Sequence, residues 1–163
     1  TGFAQETIYN HYLQVFSRSY PVKGAANTPT GEIAAIEGTP LDFSVAEQVG
    51  LRIRQLPKDL GYDHNYVLEH EGDTVALAAH LYELQTGRSL KVYTNQPGLQ
   101  VYSANWWDGG LTGQQGKPYR QHGAIALETQ GFPDAPNHPH FPSQVLHPGE
   151  RYLRKTIFAF SLL

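Results

Sequence analysis

The sequence predicts an all-β protein, built as a sandwich or barrel of short antiparallel strands. Three observations carry this reading. Apolar and polar residues alternate over many short segments, as they do in strands that bury one face. Gly, Pro, Asn and Asp punctuate those segments at close intervals. Only one stretch, around Ser44, carries a helix-start pattern. There is no repeat, heptad or low-complexity tract and no convincing internal boundary, so residues 1–163 read as a single domain.

Thr1 to Glu6 has no usable pattern. His11 to Phe16 alternates, with Tyr12, Gln14 and Phe16 opposed to Leu13 and Val15, and is predicted as a strand. Pro21 to Gly31 is rich in Pro, Gly, Asn and Thr and reads as a loop. Ile33 to Ile36 is a short strand. Ser44-Val45-Ala46-Glu47 has capping-box spacing and predicts one helical turn, stopped by Gly50. Leu51 to Leu60 is a loop. Asn65 to His70 is a strand, Glu71-Gly72-Asp73 a turn, and Thr74 to Leu84 a strongly alternating strand with Val75, Leu77, Ala79 and Leu81 on one face. Thr86-Gly87 suggests a hairpin turn. Ser89 to Gln96 and Leu99 to Asn105 are strands split by Pro97-Gly98. Asp108 to Pro118 is a glycine-rich loop. Phe132 to Pro148 is proline-rich, and the chain closes on a stretch with Tyr152, Thr156, Phe158, Phe160 and Leu162 in phase.

Composition narrows the function classes. The formal net charge is -3 and the isoelectric point near 6.2, which gives no reason to expect nucleic acid or an anionic membrane as partner. No apolar run is long enough to span a bilayer, and no basic-then-apolar leader precedes the first motif. Cysteine is absent, so disulfides and thiol chemistry are excluded. Met is absent too, even at position 1, and the expectation is that Thr1 is not an untouched translation start.

The stretch that organises the chain is His122 to Ala135. Read as a strand, it puts Ile125, Leu127 and Thr129 on a core-like face. Ala124, Ala126, Glu128 and Gln130 share the other face, where small residues lead to an acid and an amide. Gly131 and Pro133 end it. A carboxylate ending an apolar strand is costly to bury unless paired or used, although a Glu that simply reaches water fits the same pattern.

A longer text is superimposed on this pattern. Leu127-Glu128-Thr129-Gln130 is followed by Phe132-Pro133-Asp134-Ala135, Asn137, Pro139, Phe141-Pro142-Ser143 and Pro148-Gly149-Glu150. Earlier come Pro29-Thr30-Gly31-Glu32-Ile33 with Gly38 to Phe43, then Gly61-Tyr62-Asp63-His64-Asn65-Tyr66, then Thr94-Asn95-Gln96-Pro97-Gly98 to Tyr102. These four ordered motifs closely resemble the aldose 1-epimerases (galactose mutarotases), and they cover nearly the whole chain. The resemblance implies a large antiparallel β-sandwich of the galactose mutarotase type, of which this chain is the C-terminal half. Family members are longer, and the N-terminal part absent here carries two active-site histidines and a sugar-binding arginine. His11 falls just after the position of the second histidine and is not its equivalent. Half a sandwich leaves open edges and an uncovered face, so a second polypeptide or N-terminal segment is expected to complete it. A cytoplasmic location is the family expectation.

The resemblance also implies chemistry. Interconverting the α and β anomers of a free hexose needs one proton acceptor and one donor about C1, with groups to hold the other hydroxyls. No metal or organic cofactor is needed. Glu128 matches the family's catalytic base. Asp63 matches a sugar-hydroxyl acceptor, against a simple turn role after Gly61. Gln96 matches a family amide that contacts the sugar. The acid histidine is expected outside this chain. His64 adjoins Asp63, but adjacent side chains in extended chain point apart, so its expected role is structural. His138 and His140 are spaced like metal ligands without a third, and a surface loop is the simpler reading. Tyr62, Trp106 and Trp107 default to packing. The alternative to an epimerase acting on galactose or glucose is a non-catalytic carbohydrate-binding module, or a fragment inactive without its N-terminal half.

Overall fold

A computed structural model describes residues 7–70 and 73–163. Twelve strands form three antiparallel sheets among these residues. The first sheet has the order β12-β7-β6-β1-β4, from β1 (His11–Val15), β4 (Glu47–Gln48), β6 (Ala76–Glu83), β7 (Arg88–Thr94) and β12 (Thr156–Leu162). The second has the order β11-β8-β5-β2-β3, from β2 (Ser17–Lys23), β3 (Pro29–Ala35), β5 (Asp63–Leu68), β8 (Gly98–Tyr102) and β11 (Ala126–Gln130). A small ribbon pairs β9 (Asp108–Thr112) with β10 (Pro118–Arg120).

The two large sheets bury one core. Leu13 and Val15 of β1, Ala79 of β6 and Val92 of β7 belong to the same buried cluster as Tyr66 of β5 and Leu99 and Val101 of β8. Side chains alternate along a strand, so this packing dictates the other face of the second sheet. On β5, His64, Tyr66 and Leu68 are buried towards the core side, and Asp63 and Asn65 take the opposite face. On β11, Leu127 packs against the core and Glu128 is turned away from it, as the alternation predicts.

Several local expectations are corrected. Pro21 to Gly31 is a loop only over residues 24–28: its ends belong to β2 and β3, which form a hairpin. Proline cannot donate to a ladder and is tolerated at irregularities, and here the β2–β3 register shifts between Pro21 and Lys23. The helix does not start at Ser44. Ser44 instead closes a turn on Asp42, its N–H and Oγ both donating to Oδ1, and Glu47 Oε1 accepts the adjacent Gln48 N–H. With the capping groups so used, α1 (Val49–Arg52) forms beyond them, around Gly50. The stretch read as a loop from Leu51 holds the end of α1 and a 3-10 turn at Ile53–Gln55. Asp108 to Pro118 holds β9 and the start of β10. The predicted turn at Glu71-Gly72 lies outside the described residues, as does the patternless Thr1 to Glu6.

Among the described residues the first sheet ends on an uncovered edge. β12 pairs only with β7 in the sheet order, and Phe158, Phe160 and Leu162 are exposed, the last two at 79% and 75%. No helix among the described residues is long and apolar enough to cross a membrane.

Candidate active site

The sheet register gathers the site. Glu128 of β11 pairs with Gln100 of β8, and Gln100 pairs with Asn65 of β5. Three polar side chains from distant parts of the chain therefore stand abreast on one face. One step along, Asp63 pairs with Tyr102. All of them line a single open cleft of about 560 Å³, which Lys23 of β2 and Trp106 also line.

Asp63 is oriented on both sides. Its carboxylate Oδ1 accepts a hydrogen bond from Gln100 Nε2 at 2.7 Å. Its backbone N–H donates to His64 Nδ1 at 3.1 Å. The segment entering β5 is fixed by buried polar groups. Asn105 Nδ2 donates to Asp59 O at 2.7 Å and to Tyr62 O at 3.0 Å. Ser103 Oγ accepts the Tyr62 N–H at 2.8 Å. His122 Nε2–H donates to Leu60 O at 2.6 Å, and its Nδ1 accepts the Tyr9 hydroxyl at 2.8 Å. Gly61 is required here: at φ +145°, a Cβ would sit 2.5 Å from Asn105 Oδ1 and 2.6 Å from Ser103 Oγ. Asn65 is held at the cleft floor by Gln130 Nε2, which donates to its Oδ1 at 3.3 Å.

Glu128 is exposed. With no described residue covering it, its carboxylate faces the open cleft. Gln96 is not brought to the site. It sits in the β7–β8 turn, buried, and its Nε2 donates to the Tyr152 hydroxyl at 3.1 Å. The cleft amide is Gln100, four residues on. The sequence held a signal for it: alternation puts Gln100 on the face opposite the core residues Leu99 and Val101, in phase with Glu128. Trp106 is also repositioned by the structure. It is 59% exposed at the cleft, able to offer a flat apolar face, whereas Tyr62 is fully buried and Trp107 packs on Tyr119 at 4.9 Å.

His64 lies apart from the cleft lining, as its place beside Asp63 requires. It is 6% exposed, and burial, reinforced by the Lys23 charge and opposed by Asp59, lowers its pKa to about 4. It is neutral at pH 7, with Nε2 3.4 Å from Asp59 Oδ2. His138 and His140 bind no common centre: their Nε2 atoms donate to Pro29 O at 3.2 Å and Gly31 O at 2.7 Å, fastening the proline-rich segment to β3. Among the described residues no group of three or more His, Cys, Asp or Glu is placed to hold a metal ion.

Comparison with known proteins follows the geometry. The chain is 37% identical over 161 residues to the galactose mutarotase of Bos taurus, covering 99% of this chain and 46% of the bovine protein. It is 35% identical to the aldose 1-epimerase of Escherichia coli (strain K12), covering 96% of this chain and 46% of that one. The chain thus spans about half the length of the curated relatives it matches, in keeping with its reading as a C-terminal half. An aldose epimerase homologue from C. elegans superposes with a TM-score of 0.84 at 24% identity, over 98% of this chain and 48% of its own. Galactose 1-epimerase from Lactobacillus acidophilus NCFM gives 0.77 at 25% identity, over 96% and 45%. The fold is that of the galactose mutarotases. The family description "Aldose 1-epimerase" matches residues 1–159, and the chain belongs to the aldose 1-epimerase family.

Proposed function

We propose that this chain supplies the base and the sugar-binding wall of an aldose 1-epimerase acting on a free hexose such as galactose or glucose. One observation carries the reading: Glu128, Gln100 and Asp63, far apart in sequence, line one open cleft of a size suited to a small polar ligand. Glu128 accepts the proton of the C1 hydroxyl as the bond between C1 and the ring oxygen breaks. A donor on the other side of C1 protonates the ring oxygen. Rotation about C1–C2 and reclosure then give either anomer. Asp63 accepts from sugar hydroxyls, and Gln100 both orients Asp63 and presents its amide oxygen to the ring. Trp106 contributes an apolar wall.

The donor is proposed to come from outside this chain. His64 faces Asp59, and His122 is engaged by Leu60 and Tyr9, so both are committed elsewhere. Of the two domain readings, a single domain or a half-sandwich, the proposal takes the half-sandwich, completed by a second polypeptide or N-terminal segment. The exposed apolar side chains and free edge of β12 support that, since such edges are normally paired or covered. The same commitment of His64 and His122 favours, as a second reading, a chain that binds sugar without catalysis.

Calorimetric titration with galactose tests the site. Asp63→Asn and Gln100→Ala are expected to weaken binding about tenfold or more, from the loss of charge-assisted hydrogen bonds, while Gln96→Ala leaves it unchanged. Equal affinity in all four proteins would remove the cleft as the sugar site. Binding without acceleration of anomer exchange would support the second reading.

A further inference from the structure

Lys23 is the cleft's cation, and the reading above gives it no task. It ends β2 and lines the cleft. Its Nζ donates to Asp59 Oδ1 at 2.7 Å, with the two side chains only 16% and 13% exposed. Taking both charges that far from water costs free energy that their attraction offsets only in part, and a packed apolar pair would fasten the hairpin equally well. A buried ion pair in the wall of a ligand cleft therefore calls for a use.

The pair is rigidly set. Asp59 is anchored through its carbonyl by Asn105 and followed by Leu60, whose left-handed φ of 57° and carbonyl bond to His122 hold the loop. An ammonium has three N–H donors, and Asp59 takes one of them. Position matters as well. Glu128 is on β11 and Lys23 on β2, with β8 and β5 between. Three interstrand steps of ~4.8 Å put their strands about 14 Å apart across the sheet, a gap that a hexose ring and two long side chains span. Charge points to the ligand class. Asp59 balances Lys23, leaving the carboxylates of Asp63 and Glu128 in surplus, which disfavours phosphate or carboxylate groups and suits a neutral polyol.

We propose that Lys23, tethered by Asp59, is a specificity-determining residue that donates a hydrogen bond to a hydroxyl of a neutral sugar on the side of the ring away from Glu128. The inference rests on the cleft being the sugar site.

The test is calorimetric titration of galactose and its 2-, 3-, 4- and 6-deoxy analogues, with polarimetric rates alongside, the rates measured with the N-terminal half of the fold supplied. The proteins are the wild type, Lys23→Met, Lys23→Arg and the double variant Lys23→Met/Asp59→Asn, which leaves no charge unpaired. Lys23→Met is expected to weaken galactose binding about ten- to a hundredfold, through KM with kcat little changed. One deoxy analogue that the wild type binds that much more weakly than galactose is expected to bind both Met variants as well as galactose does. Arginine recovers part of the discrimination. A wild type that binds the sugars, with the same deoxy pattern in the double variant, would overturn the role of Lys23 alone and leave it a staple. A wild type that binds no sugar would overturn both this inference and the sugar-site reading.

Discussion

Acid should loosen this fold through His64. The ring is buried, with Tyr20 at its edge (6.2 Å between centroids), Asp59 at Nε2 and the Asp63 N–H at Nδ1. Burial and the nearby Lys23 lower its pKa to about 4 from 6.5. The unfolded chain therefore binds a proton more readily than the folded one between those values. Stability is fully present above 6.5 and is lost as pH falls towards 4. The two pKa values give a loss of about 2 kcal/mol between pH 7 and pH 5, or ~4–8 °C in Tm for a chain of this size. His11 and His80 are also lowered by burial and add in the same direction. The difference between wild type and His64→Gln isolates the His64 share. The glutamine amide does not titrate, so the variant should show a flatter profile over this range in thermal melts. The carboxylates with lowered pKa, Asp42 and Glu83, act at lower pH and leave the window clear. Parallel profiles for wild type and His64→Gln would refute the reasoning.

Two packing predictions follow from the two faces of the same sheet. The Tyr66 hydroxyl donates to Leu41 O at 2.9 Å inside the core, a carbonyl that also accepts the Phe43 N–H at 2.9 Å; Tyr66→Phe removes one of the two bonds, which should cost about 0.5–1.5 kcal/mol in urea unfolding, and an unchanged midpoint would count against the bond. Gly98 lies under Asn65, and a Cβ there would stand 2.6 Å from Asn65 Oδ1. Gly98→Ala should displace Asn65 from the cleft floor, lowering stability by about 1–3 kcal/mol and weakening sugar binding in calorimetry. Full stability with weakened binding would still place Asn65 in the site, whereas no change in either would not.

Much of this was readable in the sequence. The strands β7, β8 and β11 announce themselves because each alternates between its two faces, and Glu128 falls on the outward face by the same rule; β6 was legible as a strand, but a register shift between Leu77 and Ala79 takes Leu77 off the face that it was expected to share with Ala79 and Leu81. β2 was hidden because Pro21 is a poor strand residue that only a register shift accommodates. The helix was misplaced because Asp42, two residues before Ser44, competes for the capping groups. Motif resemblance pointed to Gln96, and strand phase would have pointed to Gln100, whose pairing with both Asn65 and Glu128 is a long-range fact. The Lys23–Asp59 pair joins residues 36 apart, and no local pattern marks it.

The central claim is that Glu128 takes the proton from the C1 hydroxyl. Polarimetry of freshly dissolved α-D-galactose with wild type and Glu128→Gln tests it most directly, since glutamine keeps the shape and removes the base. The account predicts that the wild type, supplied with the N-terminal half of the fold, accelerates the approach to anomeric equilibrium. It predicts that the variant loses that acceleration by a factor of about 10²–10⁴ while still binding galactose. A variant that mutarotates galactose at the wild-type rate would contradict it.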